Sequence, residues 1–220
     1  MTTIDNTIAE RVRTMQAGLA GRMPDEVAAA FGAEQAVLDE AGVPGRVLSA
    51  GAVMPDGDLL DVEGTATTLA AARAGKPAVV VNYRGAWCPY CNLALRTYQE
   101  QLVPALAGRG VELVALSPQK PDGSLSMAEK NELTFTVLSD PGNQIASALG
   151  VLTAPSDAAK DAQRTLGLDL TEVNADGTHG VPMPTVVLVD AEGVIRWIDV
   201  HPNYSTRTEV ADIVAALDLL

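Results

Sequence analysis

One stretch, from Val79 to Cys91, constrains this chain more than any other: a continuous apolar run gives way to a glycine and then to two cysteines. Val79, Val80 and Val81 in succession read as a buried strand. Gly85 supplies the turn. Pro89 suits the first helical turn, where its missing N–H would have no partner anyway. Cys88 is then expected at or near the N-cap of a helix, and Cys91 one turn further in. Unpaired N–H groups and the positive end of the helix dipole surround both sulfurs. There a thiol gives up its proton most easily, and the thiolate is the reactive form.

A bare C-x-x-C has other meanings. Half a zinc site needs two further N or S ligands. The chain has no third cysteine, and its histidines, His179 and His201, are too far apart to form the usual second pair. A purely structural disulfide would close a very small loop and restrict the unfolded chain little. The redox reading is therefore favoured, with no metal and no cofactor expected.

Length and composition set bounds on the rest. A chain of 220 residues is long enough for a real core. Aromatics are only 4%, so Ala, Val and Leu must fill the interior. A formal net charge of −13 argues against nucleic acid or an anionic membrane as partner. Residues 1–10 lack a basic segment followed by an apolar core, and no run approaches the roughly 18 apolar residues of a membrane span. A cytoplasmic protein is the expectation, and in a reducing cytosol a C-x-x-C is more often catalytic than structural.

Helical spacing of Ile4, Ile8, Val12, Met15 and Leu19 predicts an amphipathic helix over 4–22. A second helix follows Pro24, carrying Val27, Phe31, Val37 and Leu38 and stopping near Gly42. Short strands around 52–54 and 59–62, a helix over 67–74 and the central strand 78–83 come next. The cysteine helix should run to about Ala107, with Leu95, Tyr98, Leu102 and Leu106 as its apolar stripe and Pro104 kinking it. A strand over 111–117, a loop over 118–126 and a helix over 125–131 follow. Then come a strand over 135–138 and a short helix over 143–149. Residues 152–180 read as a loop-rich insertion near the site, with helix over 158–166. The strand 185–189, a turn at 190–193, a strand 194–200 and a last helix over 206–219 complete an α/β chain. This gives a central mixed β-sheet flanked by helices, parallel in its β-α-β part and ending in an antiparallel hairpin.

The phrases Asn82-Tyr83-Arg84-Gly85-Ala86-Trp87-Cys88-Pro89-Tyr90-Cys91, Leu116-Ser117-Pro118-Gln119, Leu138-Ser139-Asp140-Pro141-Gly142 and Pro184-Thr185-Val186-Val187-Leu188-Val189-Asp190 carry a resemblance. From about Val53 onward the chain resembles the peroxiredoxin-like proteins of the alkyl hydroperoxide reductase/thiol-specific antioxidant family. The resemblance implies a thioredoxin-like fold in residues 46–220, preceded by an N-terminal helical extension over 1–45. It also implies a cis proline at Pro184, beside the cysteines. Peroxiredoxins carry P-x-x-x-[TS]-x-x-C, whose cysteine attacks the peroxide. Laid on this chain, that cysteine is Cys91, the Thr position is Cys88 and the Pro position is Arg84. Their second arginine falls on Pro184, which leaves the centre without it.

Three readings follow. In a thiol peroxidase, Cys91 attacks the peroxide, Cys88 condenses with the sulfenic acid, and an external thiol (a thioredoxin-like protein or a low-molecular-weight thiol) resets the pair. In a thiol–disulfide oxidoreductase, the more exposed Cys88 attacks a substrate disulfide, and a cis Pro184 keeps backbone open for a bound peptide. In a redox sensor, the disulfide switches a partner surface built from the N-terminal helices and residues 152–180. The peroxidase is preferred, with Cys88 and Cys91 catalytic and Arg84, Trp87, Pro89, Tyr90, Met183, Pro184 and Thr185 forming the substrate pocket. Of the histidines, both in Gly/Pro-rich loops, His179 reads as a solvated loop residue, with reach to the site as the alternative. The segment His201 to Arg207 resembles the D-x-D-Y-x-x-R-like ending of these relatives and reads as a cap for the last helix, with a homodimer contact as the alternative.

Overall fold

A computed structural model describes residues 7–19 and 21–220. In chain order the helices and strands are α1 (Ile8–Leu19), α2 (Asp25–Ala41), β1 (Asp58–Leu60), β2 (Ala66–Thr68), α3 (Leu69–Arg73) and β3 (Ala78–Asn82). Then come α4 (Pro89–Thr97), α5 (Val103–Leu106), β4 (Glu112–Ser117), α6 (Pro121–Lys130), β5 (Thr136–Ser139) and α7 (Gln144–Leu149). The chain closes with β6 (Leu152–Thr153), α8 (Asp157–Thr165), α9 (Leu170–Val173), β7 (Val181–Pro182), β8 (Thr185–Val189), β9 (Ile195–Val200) and α10 (Val210–Ala216).

Seven strands form one sheet in the order β2-β1-β5-β4-β3-β8-β9. β3 runs parallel to β4, and β4 to β5, while β8 pairs antiparallel with both β3 and β9. The expected mixed sheet with a closing hairpin is therefore present. β3 is the central strand because it is buried on both faces, and alternate residues serve different layers. Val79 and Val81 pack with α4, α10 and α1 on one face. Ala78 and Val80 pack with α3 and α7 on the other.

Several boundaries differ from the sequence reading. Residues 52–54 contribute a single bridge, Val53 to Val194. β2 takes the start of the expected helix over 67–74, because the turn at Asp61–Gly64 folds it back on β1. Pro121 occupies the first helical turn of α6, so that helix begins inside the expected loop. Pro104 does not simply kink the cysteine helix. A π-helical turn, Tyr98–Leu102, separates α4 from α5 and absorbs its missing hydrogen bond. The last helix starts at Val210, leaving 206–209 extended or turned.

Residues 152–180 contain the expected helix, as α8, and a further short helix, α9, with loop before, between and after them. β6 and β7 close the segment as a two-stranded ribbon, and α8 packs against α2 with Ala159, Ala162 and Gln163 buried. Its helices are well capped: Ser156 Oγ accepts Ala159 N–H and Asp169 Oδ1 accepts Thr171 N–H. Of the first expected helix, residues 4–6 and 20 lie outside the described residues. α1 packs on α4, and its first N–H groups, Ile8 and Ala9, donate to the Glu209 carboxylate at 2.8 Å each.

Candidate active site

The site is assembled where β3 ends and α4 begins. Gly85 has φ +151°, and a Cβ there would lie 2.3 Å from Trp87 Nε1. Only glycine admits both that backbone and the indole folded against it. Gln119, beyond the neighbouring strand β4, accepts the Ala86 N–H at 2.7 Å. Asn92 grips the loop from the other side, donating to Ala86 O at 2.7 Å and Cys88 O at 2.9 Å, and is itself held by Asn131. Cys88 is the N-cap of α4, Pro89 opens the first turn, and Cys91 N–H donates to Cys88 O. The local reading of the sequence is realised here.

Both cysteines are free thiols, and both are buried, Cys88 at 1% exposure and Cys91 at 0%. Cys88 is thus not the exposed sulfur that the disulfide-exchange reading requires. The reason is packing: both side chains belong to the core layer with Tyr98, Val81 and Ile213.

Arg207 places a buried positive charge beside both sulfurs. Its Nη1 donates to Tyr204 O and Thr206 O at 2.6 Å each, which aims Nη2 at the sulfurs: 3.1 Å to Cys91 and 3.8 Å to Cys88. Burial alone would push the Cys91 thiol up. The hydrogen bond from Cys88, the Arg207 charge and the Arg84 backbone N–H outweigh it and hold Cys91 well below the ordinary thiol range. Cys88 moves the opposite way, pushed up by burial and then by its bonded, charged neighbour Cys91. Both shifts favour negative charge on Cys91 over Cys88.

The arginine was expected to be missing because its family position falls on Pro184. A different segment supplies it instead. Residues 201–209 loop back from β9, and Tyr98 of the cysteine helix clamps them by donating to Thr208 O at 2.8 Å. Asp199 holds the same segment from the strand side, accepting from Thr208 Oγ1 at 2.8 Å and lying 2.9 Å from His201 Nε2. So the ending read as a helix cap is part of the site. The Tyr204-to-Arg207 spacing was the one signal in the sequence that pointed there.

Cys91, Tyr83, Tyr98, Pro184, Thr185, His201 and Arg207 are among the residues around a cavity of about 10 Å³, room for roughly one water molecule. Tyr83 was missed as a site residue. Its buried phenol is pushed up to about 12, so it stays protonated. Pro184 and Thr185 are where they were expected, but among the described residues no peptide bond is cis. Trans is the intrinsically preferred form even before proline. The flanking backbone is fully engaged: Met183 N–H donates to Val151 O, Thr185 Oγ1 to Met183 O and His201 N–H to Pro184 O. No free backbone edge is left there for a peptide.

The remaining expected pocket residues scatter. Arg84 does not face the Cys91 sulfur. Its guanidinium carbon lies 4.1 Å from the Tyr204 ring centre and 5.1 Å from that of Trp87, beside a second small cleft that includes Met183. Pro89 is exposed, and Tyr90 is half-buried, its hydroxyl 3.4 Å from Gln16 Nε2 on α1. His179 borders neither cavity. It lies near Asp157 and Asp169 in the 152–180 unit. Among the described residues no cluster of His, Cys, Asp or Glu could hold a metal ion, and no helix is long and apolar enough to cross a membrane.

Comparison with known proteins gives a consistent picture. Residues 50–198 match the AhpC/TSA family model. Peroxiredoxin Bcp of Escherichia coli (strain K12) is 29% identical over 154 residues, 69% of this chain and 85% of that one. The chloroplastic peroxiredoxin Q of Populus jackii is 35% identical over 104 residues, 46% of each chain. Among solved structures, reduced Prx3 from Vibrio vulnificus superposes with a TM-score of 0.62 at 18% identity, covering 78% of this chain and 99% of that one. Peroxidoxin BcpB from Mycobacterium tuberculosis gives 0.59 at 18% identity, covering 79% and 98%. At these identities the superpositions establish a shared thioredoxin-type fold. Arg207 lies beyond the matched segment.

Proposed function

The chain belongs to the AhpC/TSA family, and from that premise we propose that it is a thiol peroxidase whose Cys91 attacks the peroxide and whose Cys88 resolves the product. The observation that carries this assignment is the Arg207 guanidinium 3.1 Å from Cys91 Sγ, which favours the thiolate on that sulfur and not on Cys88. The cavity beside Cys91 and Arg207 is where the peroxide is received.

The cycle balances on the groups present. Cys91 thiolate attacks one peroxide oxygen; an S–O bond forms, the O–O bond breaks, and the alkoxide or hydroxide leaves. The Cys88 thiol supplies the proton that the leaving group takes up. The Cys88 thiolate so formed attacks the Cys91 sulfenic sulfur and expels hydroxide, giving the disulfide. Arg207 lies near both sulfurs and stabilises negative charge as it passes between them. Two equivalents of an external thiol then restore the dithiol.

Disulfide exchange fits less well. It needs an accessible Cys88 and a backbone edge at Pro184, and the sulfur is buried and that backbone paired. The substrates are read as hydrogen or organic peroxides. Residues 1–45 are read as a helical arm on the 46–220 domain, and the location as cytoplasmic.

Stopped-flow mixing of the reduced protein with hydrogen peroxide, followed by Trp fluorescence, tests the proposal beside reaction with the insulin disulfides. Peroxide should react orders of magnitude faster than with a free thiol at the same pH. A peroxide rate no faster than that of a free thiol would overturn it, and sustained turnover with excess thiol separates an enzyme from a one-shot sensor.

A further inference from the structure

Arg207 sits between two anchored positions. Thr208 follows it and is held by Tyr98 and by Asp199. Thr206 precedes it and is held by His201, whose Nδ1 lies 2.7 Å from Thr206 Oγ1. The other ring nitrogen, Nε2, lies 2.9 Å from Asp199 Oδ2, the same oxygen that accepts from Thr208 Oγ1. Both anchors therefore meet on one carboxylate oxygen, and the His201 ring spans the gap from it to Thr206.

The anchored turn is what aims the guanidinium. Thr206 N–H donates to Asn203 O at 3.1 Å, and its hydroxyl lies 2.9 Å from the same oxygen, which closes residues 203–206. Two carbonyls of that turn, Tyr204 O and Thr206 O, accept from Arg207 Nη1 and leave Nη2 for the sulfurs. A guanidinium is a rigid plane, so fixing one nitrogen sets the direction of the other.

The far end of the link is mounted on the sheet. Asp199 lies opposite Val186 of β8, so its side chain is on the face that carries the cysteine helix. The His201 backbone is fixed as well, its N–H donating to Pro184 O at 2.9 Å. His201 thus ties a surface turn to the two strands that border the site. A hydrogen bond to a thiolate weakens steeply as distance and angle depart from the best values. A turn that drifts would therefore let Cys91 hold its proton more easily.

We propose that His201 is a positioning residue for the peroxide step, its ring bridging Asp199 to Thr206 and so holding the turn that points Arg207 at Cys91. His201 borders the same cavity as Cys91 and Arg207, but both ring nitrogens are taken, so it acts through Arg207 and not on the peroxide. The inference rests on the reading of Cys91 as the attacking sulfur and names a residue on which its thiolate depends.

The test follows the first thiolate step at 240 nm in the full-length reduced protein, with no peroxide present. His201→Ala should shift that step upward by up to about one unit, the worth of a single hydrogen bond. Thr206→Val removes the hydroxyl that the ring holds and should shift it the same way. Thr206→Ser keeps the hydroxyl and should leave it in place. In an Arg207→Met background His201→Ala should add nothing further, because the group it positions is gone. An equal shift with and without Arg207 would overturn the proposal, since that is the signature of a general loosening of the fold. An unmoved step in His201→Ala would overturn it too. Should His201→Ala not fold, the Thr206 pair decides alone, and equal titrations of Thr206→Val and Thr206→Ser would sink the idea. A peroxide rate no faster than that of a free thiol removes the peroxidase reading, whereas the titration by itself judges this one.

Discussion

Arg207 Nη2 lies 3.1 Å from Cys91 Sγ, although the two residues are 116 positions apart in the chain. The contact is a buried charge pair: Arg207 is itself raised further by the sulfurs even though burial opposes its charge. Removing one partner of such a pair strands the other charge, and a stranded buried thiolate protonates. Arg207→Met should therefore move the Cys91 titration, read by thiolate absorbance at 240 nm, up into or above the ordinary thiol range. The peroxide rate at pH 7 should fall, by about tenfold for each unit that the thiol comes to lie above pH 7. In the wild type the rate should hold as pH drops through the ordinary thiol range near about 8.5, because Cys91 is held well below it. A wild-type rate falling steeply below pH 8.5 would contradict the assignment.

The two cysteines are distinguishable by substitution. Cys91→Ser should abolish peroxide consumption. Cys88→Ser should leave one rapid turnover and a sulfenic acid that a dimedone-type probe traps and mass spectrometry counts. If Cys88→Ser removes the first chemical step instead, the exchange mechanism is correct.

What could be seen in the sequence was whatever local chemistry determines. The strand expected over 78–83, the glycine turn and the start of the cysteine helix each follow from neighbouring residues, and the structure places these within a residue or so of expectation. The position of Arg207 depends on how β9 returns beside β8 and how Tyr98 grips Thr208, contacts that span most of the domain. Arg84 is the converse case. It is adjacent to the site in sequence, yet the Tyr204 ring draws its side chain elsewhere. In 152–180 the helix α8 lies within a residue of the expected 158–166, whereas α9 is a single turn whose one buried side chain, Leu170, makes no periodic stripe. β2, with Ala66, Thr67 and Thr68, carries no alternating apolar signal at all.

A pH-dependent stability term should come from Asp140. Burial raises its carboxyl to about 6 despite the N–H groups it accepts from Gln144 and Ile145. A raised folded value means that the folded state binds the proton more tightly. The contribution is fully present below the unfolded value of about 4 and is lost as pH rises through 6. Urea unfolding of the wild type should lose on the order of 2–3 kcal/mol from this group between pH 4 and pH 7. Asp140→Asn should flatten that part of the profile relative to wild type. An unchanged slope in the variant would place the titration elsewhere.

Gly85 and Trp87 should behave as a coupled pair. At φ +151° an alanine is strained whatever surrounds it, and its Cβ would also meet Trp87 Nε1 at 2.3 Å and Gln119 Oε1 at 2.9 Å. The backbone strain alone costs roughly 1–3 kcal/mol, and displacing the indole adds to it. Gly85→Ala should therefore lower the urea midpoint clearly. It should also slow peroxide attack, because Gly85 O accepts the Cys88 N–H and so sets the start of the cysteine helix. The two contributions separate in a double-mutant cycle. Trp87→Ala removes the clash but not the strain, so Gly85→Ala should be less damaging in that background than in the wild type. Equal damage in both backgrounds would mean that the indole yields without cost, leaving the positive φ and the Gln119 contact as the reasons for glycine at position 85.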